Sequence, residues 1–461
     1  MKQHLQTGIF TLLVAAFLFT GFTSANANTI EIRTWTDLHN VRNNLSASYI
    51  LMNDLDSNTA GFSTYQGTEG FLPIGSSEDP FTGTFNGNGH TIRNLKINRS
   101  TPNLGLFSFT LEATIQNVGL IDVDITAQAS TSGVLIGRSH ASIVDKVYAT
   151  GSFTQTTNEA DNSFGGLIGR FHGGMMVDSW SEVNVSVVGL YAGGLIGSVS
   201  GFGGTPALIE RSYATGNVNA STRMIGGLVG QFGGSSTINN SYASGNVVGD
   251  TQVGGLIGYK WRGSTVTNSY AIGLVNGSGQ VGGLIGFRDP DQPPAISTIE
   301  NGFWKSDNAG AEQGVGLGKP DGVTGLTEAQ LKNQASFTGW NFTNIWAIDP
   351  DYNNGYPYFI YQLTTSIEDE VEIPTSVVLN QNYPNPFNPS TVIGFSLPQA
   401  DHVKLEVYTA NGQLISTLVN ETRSAGQHEV RFDASNLSSG VYIYRVITGS
   451  DIQTRRMTLI K

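Results

Sequence analysis

The chain has 461 residues, 58 glycines, no cysteine, 13% charged residues and a formal charge of −12. That acidity argues against a nucleic-acid partner, which would need a basic surface. The missing cysteines exclude thiol catalysis and any disulfide framework. The charge is uneven. The last 88 residues hold 7 Lys/Arg against 6 Asp/Glu, so the excess acid belongs to the rest of the chain.

Residues 1–27 read as a secretory signal peptide. Lys2 and His4 precede a mostly apolar run over 8–22, and Ala25-Asn26-Ala27 offers small residues for cleavage. Residues 28–103 form an N-terminal cap and lead-in. A short helix is expected from Trp35-Thr36-Asp37-Leu38, with Thr36 or Asp37 as N-cap and Leu38, Val41, Arg42 and Leu45 at helical spacing. It would plug the open end of a repeat core. Phe81-Thr82-Gly83-Thr84-Phe85-Asn86-Gly87-Asn88-Gly89-His90-Thr91-Ile92 reads as strand, turn, strand.

Repeats occupy 104–304. The pentad Gly254-Gly255-Leu256-Ile257-Gly258 recurs at 165–169, 193–197, 226–230 and 282–286, with a degraded copy at 133–137. The second glycines step by 28, 33, 28 and 28 residues. Between pentads an apolar residue stands four before an aromatic: Val144/Tyr148, Met176/Trp180, Ile209/Tyr213, Ile238/Tyr242, Val266/Tyr270, Ile299/Phe303. A short Val run follows. Three short β segments per period, repeated in register, imply a β-solenoid whose coils must stack to bury their apolar faces. The pentad Leu and Ile would form inward ladders, and its glycines would allow tight corners and close backbone approach. Ile238 and Val247 are an odd nine apart, so a corner is expected near 241–245. Any function would lie on outward, variable positions such as 202–206 and 289–294.

Residues 305–363 break the period and form a C-terminal cap. A helical run over 326–332, N-capped by Thr324, precedes an aromatic cluster that includes Trp340 and Trp346. Closing the end of the solenoid is the first reading of that cluster, and a sugar-stacking platform the second. Residues 364–375 are a polar, acidic linker. In 376–461 the text changes to β alternation, with Asn411-Gly412 as a hairpin turn and six or seven short antiparallel strands in a small β-sandwich.

Two resemblances attach to these residues. The pentads with Ser212-Tyr213-Ala214-Thr215-Gly216 and its copies resemble GLUG repeats, over roughly 71–363. Those repeats occur in bacterial surface and secreted proteins, including large adhesins and non-catalytic parts of immunoglobulin A peptidases. The resemblance implies an all-β chain: a right-handed parallel β-helix (GLUG solenoid), here followed by a small immunoglobulin-like β-sandwich. It implies no single activity. Leu379-Asn380-Gln381-Asn382-Tyr383-Pro384-Asn385-Pro386-Phe387-Asn388-Pro389 resembles the opening of the type A C-terminal sorting domain of the type IX secretion system. Gly412, Gly426, Gly440, Tyr442 and the terminal Lys461 fall where that pattern has them. This resemblance implies a sorting signal in Pro384, Asn385, Pro386, Phe387, Asn388, Pro389, Gly412, Gly426, Gly440, Tyr442 and Lys461. It further implies Sec export, translocation across the outer membrane of a Bacteroidota-type cell, and partnership with the type IX machinery and its sortase. The sortase would remove the tail, and the product would be surface-attached or secreted.

Catalytic constellations are sparse. His428-Glu429 does not continue to a second His, Gly318-Lys319 lacks the glycine of a phosphate loop, and Gly197-Ser198-Val199-Ser200-Gly201 puts Val199 at the elbow. Asp122 and Asp124 would share a strand face, most simply a solvated one. Asp349-Pro350-Asp351 is similar to a calcium loop, but Gly355 stands at the seventh position rather than the sixth and Ile360 where a bidentate Glu belongs. Asp54 and Asp56 are weaker. Arg138, Arg170 and Lys260 are read as following pentad ends, but Ser198, Gln231 and Phe287 follow the others, so basic and acidic residues do not recur at a common position. The expectation is a non-enzymatic, adhesin-like scaffold with no cofactor, whose partner beyond the secretion machinery would be an extracellular glycan or a host or matrix surface. The alternatives are a carbohydrate-active β-helix enzyme and the non-catalytic binding region of a secreted peptidase.

Overall fold

A computed structural model describes residues 29–128, 130–157, 162–261, 263–289, 297–307, 310–365, 377–382, 385–399, 401–423, 426–449 and 451–460. The expected leader at 1–27 and residues 366–375 of the linker lie outside them. The chain divides into two units, Met1–Ile360 and Tyr361–Lys461.

The first unit is a parallel β-solenoid of about eight turns. Each coil pairs with the next one period on. The pentad Ile column runs Ile168↔Ile196↔Val229↔Ile257↔Ile285 in register. A six-stranded sheet carries the segments entering the pentads, from Thr131–Gly133 to Gly279–Gly282. Leu167, Leu195, Leu228, Leu256 and Leu284 are fully buried beside the Ile column. Each such side chain contributes about 1.5–3 kcal/mol, so the stacked coils supply the core that no single coil has.

The pentad glycines serve close approach. A Cβ on Gly255 would stand 2.2 Å from Gly283 O, and one on Gly227 would stand 2.1 Å from Gly255 O. No larger residue fits without moving backbone. The turning is done elsewhere. Left-handed residues stand two before each aromatic: Lys146, Asp178, Arg211, Asn240 (φ 45), Asn268 and Asn301. The corner between Ile238 and Val247 is thus at Asn240, one residue before the expected stretch. Met224, Gln252 and Gln280 make a second left-handed corner two before the pentads. The coil 223–248 holds five short strands rather than three, Arg223–Gly226, Val229–Phe232, Thr237–Asn239, Tyr242–Ala243 and Val247–Val248, with the Asn240 corner between the third and the fourth.

The N-terminal helix is Trp35–Asn40. Its N-cap is Thr34, upstream of the expected Thr36 or Asp37, because Thr34 and Asp37 close a capping box. Trp35, Leu38 and Val41 are fully buried in the solenoid core. The strands around Asn88 and Gly89 do not pair with each other. Thr84–Asn86 and Thr91–Arg93 each pair parallel with 114–121, so the turn between them is a coil corner. The later helix is Glu328–Leu331, capped by Thr327 and Gln330 instead of Thr324.

The second unit is a small antiparallel β-sandwich. One sheet holds Val378–Leu379, Ser390–Leu397 and Gly426–Asp433. The other orders Leu414–Arg423, Asp401–Thr409, Gly440–Ile447 and Ile452–Leu459. A shared core of Ile393, Phe395, Leu405, Val407, Tyr444 and Met457 joins them. Gly412 (φ 85) turns the hairpin, as its position after Asn411 predicts.

Candidate functional sites: the sorting tail and the post-pentad face

Of the expected sorting residues, Phe387 and Tyr442 join the sandwich core, while Asn385, Pro386, Asn388, Pro389, Gly412 and Gly440 lie exposed at its surface. Asn385 Oδ1 accepts from Thr458 N at 2.9 Å. Phe387 is 2% exposed, donates from its backbone to Thr458 O, and accepts from Ile460 N. The opening motif is therefore stitched along the last strand. Pro386 and Pro389 each follow a cis bond, after Asn385 and Asn388. Pro389 O accepts from Ala434 N. Gly426 and Gly440 start strands, and the Tyr442 hydroxyl donates to Ser438 O at 2.7 Å. Tyr444 joins in without having been singled out in the sequence. Its hydroxyl donates to Asn380 O and accepts from Asn382 N. Pro384 and Lys461 lie outside the described residues. Gln381, Asn385, Val441, Ile443, Thr454, Arg455, Arg456 and Thr458 line an open recess of about 530 Å³ beside this seam.

The aromatic cluster of 337–359 does not offer a platform to sugars. Tyr148, Trp180, Tyr213, Tyr242 and Tyr270 stack along the solenoid flank with ring spacings of 4.5, 5.6, 4.7 and 5.0 Å. The chain after the last coils returns along this column. Phe359 meets Tyr213 and Tyr242, Trp346 meets Tyr242 and Tyr270, and Trp340 meets Phe303. Trp346 Nε1 donates to Asn240 Oδ1 at 3.2 Å, and Tyr270 Oη donates to Pro357 O. Trp346 is 0% and Trp340 7% exposed, so their faces are spent inside the protein. The segment covers the side of several coils by packing on their stacked rings.

The carboxylate candidates are dispersed. Asp122 is left-handed (φ 53) at a register shift, and Asp124 is exposed between Lys96 and Ser152. The bulge thus sets the two acids apart from a regular strand alternation. Asp56 holds the turn at Asn58 and Thr59, Asp54 accepts from Thr91 N, and Asp349 accepts from Asp351 N. Among the described residues no group of three or more His, Asp or Glu side chains is placed to hold a metal.

The chemically varied surface is the outward column directly after the pentads: Arg138, Arg170, Ser198, Gln231, Tyr259 and Phe287, in register. The neighbouring outward column holds His140 and His172, stacked at 5.4 Å. Phe202, from the insertion that lengthens one step to 33 residues, stacks on His140 at 4.1 Å. Arg138 Nε donates to His140 Nε2 at 3.2 Å. Burial, then the nearby guanidinium groups of Arg138 and Arg170, hold His140 down to about 4 and His172 to about 3. Both rings are neutral near pH 7. In the sequence the residues after the pentads differ in type, and the register sets them in one column.

Lys260 does not join that column. It continues the inward series Phe171, Val199, Phe232 and is fully buried, with Arg288 after it. Lys260 Nζ donates to Ser264 O and Ser297 Oγ, both at 2.7 Å, and Arg288 donates to Lys319 O, Asp321 O and Ser297 O. The two cations fasten corner loops from inside the stack. Burial, then Arg288, lowers the Lys260 ammonium to about 7.

A 146-residue stretch is 34% identical to halomucin of Haloquadratum walsbyi, covering 30% of this chain and 2% of halomucin. A Bacteroides ovatus crystal structure, provisionally assigned as an immunoglobulin A1 protease, is similar at 20% identity and TM-score 0.49, over 73% of this chain and 94% of that one. A second solved protein, an IgA1 protease, is similar at 19% identity and TM-score 0.41, over 62% of this chain and 22% of that one. Residues 381–461 match the family model described as the secretion system C-terminal sorting domain, so this chain ends in a domain of that family.

Proposed function

We propose that the chain is an exported, non-enzymatic β-solenoid scaffold with an adhesin-like role, delivered to the cell surface or its surroundings by the type IX machinery. The sorting domain at 381–461 carries the export part of the reading, because such a domain is an address. In this reading 1–27 is the Sec leader, 28–103 caps the N-terminal end, 104–304 forms the coils, 305–363 completes the solenoid, and 364–375 is the linker at which a sortase separates it from 376–461. Asn385, Phe387, Pro389 and Tyr442 act in sorting by holding the sandwich in the shape that is recognised. The core positions of Phe387 and Tyr442 and the bond from Thr458 N to Asn385 Oδ1 support that role.

The test is localisation. Deleting 376–461 should leave the product in the periplasm, while the full chain reaches the surface or the medium. Surface delivery of the truncated chain at the normal level would overturn the proposal.

A further inference from the structure

The opening motif of the tail closes the free edge of the last strand. Gln381 Nε2 donates to Arg456 O at 2.7 Å, and Asn385 Oδ1 accepts from Thr458 N. The same two residues line the recess of about 530 Å³ on the outer face of the four-stranded sheet. Two antiparallel pairs, Val441↔Thr458 and Ile443↔Arg456, line it with them. Their strand neighbours Tyr442, Tyr444 and Met457 point into the core, so these four side chains point out. Val441 is 46% exposed and Ile443 half-buried, which leaves an apolar strip facing solvent. The Arg456 side chain is exposed, and its guanidinium has no acceptor among the described residues. Its neighbours differ: Arg455 Nε donates to Leu379 O, and Arg445 Nε donates to Thr454 Oγ1. Asn385 keeps its amide N–H groups free, and Gln381 its amide oxygen. Among the described residues no carboxylate lines the recess, and Glu406, further along the same face, is buried and paired with Lys404.

We propose that this recess docks an extended peptide segment of the type IX machinery, with a carboxylate of that segment on Arg456. The free N–H groups of Asn385 and the free oxygen of Gln381 are the donor and the acceptor that a peptide group needs. Val441 and Ile443 offer a strip on which its apolar side chains pack. An uncommitted guanidinium is shaped for a charge-assisted, bidentate contact to a carboxylate. A membrane surface would call for a cluster of cations, and here one is free. The segment does not add to the sheet as a further strand at this edge, because the opening motif already occupies it between Arg456 and Thr458. It lies on the face instead. The residues that close the domain therefore also build the surface that is read, and a tail that has not folded has no recess to offer. Docking here rests on the tail being a sorting domain, and it specifies which surface is read and the chemistry of the reader.

The test measures, in producing cells, the fraction of the full chain that reaches the surface or the medium, together with thermal melting of the tail. Arg456→Gln should lower that fraction roughly tenfold, the scale of one charge-assisted contact. Arg456→Glu should lower it further, and Arg456→Lys least. Val441→Asp, which puts a like charge beside the carboxylate of the segment, should also lower it. Leu414→Asp, at a 49% exposed apolar position on the opposite edge strand of the sheet, should not. None of these side chains belongs to the core, so each variant should keep the tail's transition. Should an Arg456 variant lose it, Val441→Asp decides. Normal delivery of the folded Arg456→Glu and Val441→Asp chains, equal delivery of Arg456→Lys and Arg456→Glu, or an equal loss in Leu414→Asp overturns the docking site. Normal delivery of the face variants, with the chain lacking 376–461 still held in the periplasm, removes the docking site and leaves the sorting reading standing, so the two fail separately.

Discussion

The two units solve the same problem, burying β-strand faces, with opposite contact ranges. In the solenoid each residue meets its counterpart 28–33 positions away, and a coil depends on its two neighbours. In the tail the ends of the domain close on each other: Asn385 meets Thr458, Phe387 meets Ile460, and Asn382 meets Tyr444. A stack can lose one contact and fray locally, because stability is a sum over neighbours. A small sandwich closed through its ends unfolds as a whole.

The sharpest break of this contrast is Phe387→Ala. Removing a fully packed aromatic costs about 3–5 kcal/mol, a large share of a small domain's stability. The tail should lose its cooperative transition and secretion should stop, with the solenoid transition unchanged. Circular dichroism melting and fractionation of producing cells would show it, and an intact tail transition would contradict a seam that holds the domain together.

Ile257→Ala should cost about 2–5 kcal/mol as well, yet act on fewer contacts. Hydrogen exchange should rise in the coils around 229, 257 and 285 and stay unchanged near Trp35. Uniform loss of protection across the solenoid would mean that the stack behaves as one block.

Lys260 sharpens the contrast through pH. Its folded value, about 7, lies below the ordinary 10.5, so the folded state binds fewer protons across that window. Stability should therefore be fullest above 10.5, fall as pH drops towards 7, and stay level with respect to this group below that. In Lys260→Met this slope should vanish while the tail's melting is untouched. A wild-type solenoid Tm as steep as the variant's between pH 7 and 10 would rule this out.

The smallest effect is expected at Asn217→Ala. It removes one exposed rung of the ladder in which Asn217 Nδ2 donates to Asn184 Oδ1 and Asn246 N to Asn217 Oδ1, worth about 0.5–1.5 kcal/mol. A shift of the solenoid Tm larger than that of Ile257→Ala would reverse the ranking of core over ladder.

Much of the fold was legible from one dimension. A pentad that recurs every 28 residues states which residues stack, because in a solenoid sequence period and coil length are one quantity. The glycines, the Leu and Ile ladders and the aromatic column all followed from it. The tail was legible for a different reason: its turns and its Pro- and Asn-rich opening are specific local text. The candidate face was half legible. Arg138 and Arg170 stood out as charges, but Tyr259, Gln231 and Phe287 matter only as members of a column.

What tertiary structure alone decided is where side chains point and what covers them. A period does not say on which side of a left-handed corner a residue falls, and Asn240 rather than a later position turns the chain. Two successive residues of a strand face opposite ways, so Tyr259 is outside and Lys260 is inside the stack. Nor does a repeat say where the chain that follows it will lie. Trp340 and Trp346 could have closed an end or met a ligand, and they lie against stacked tyrosines, where burying their rings against other rings is favourable.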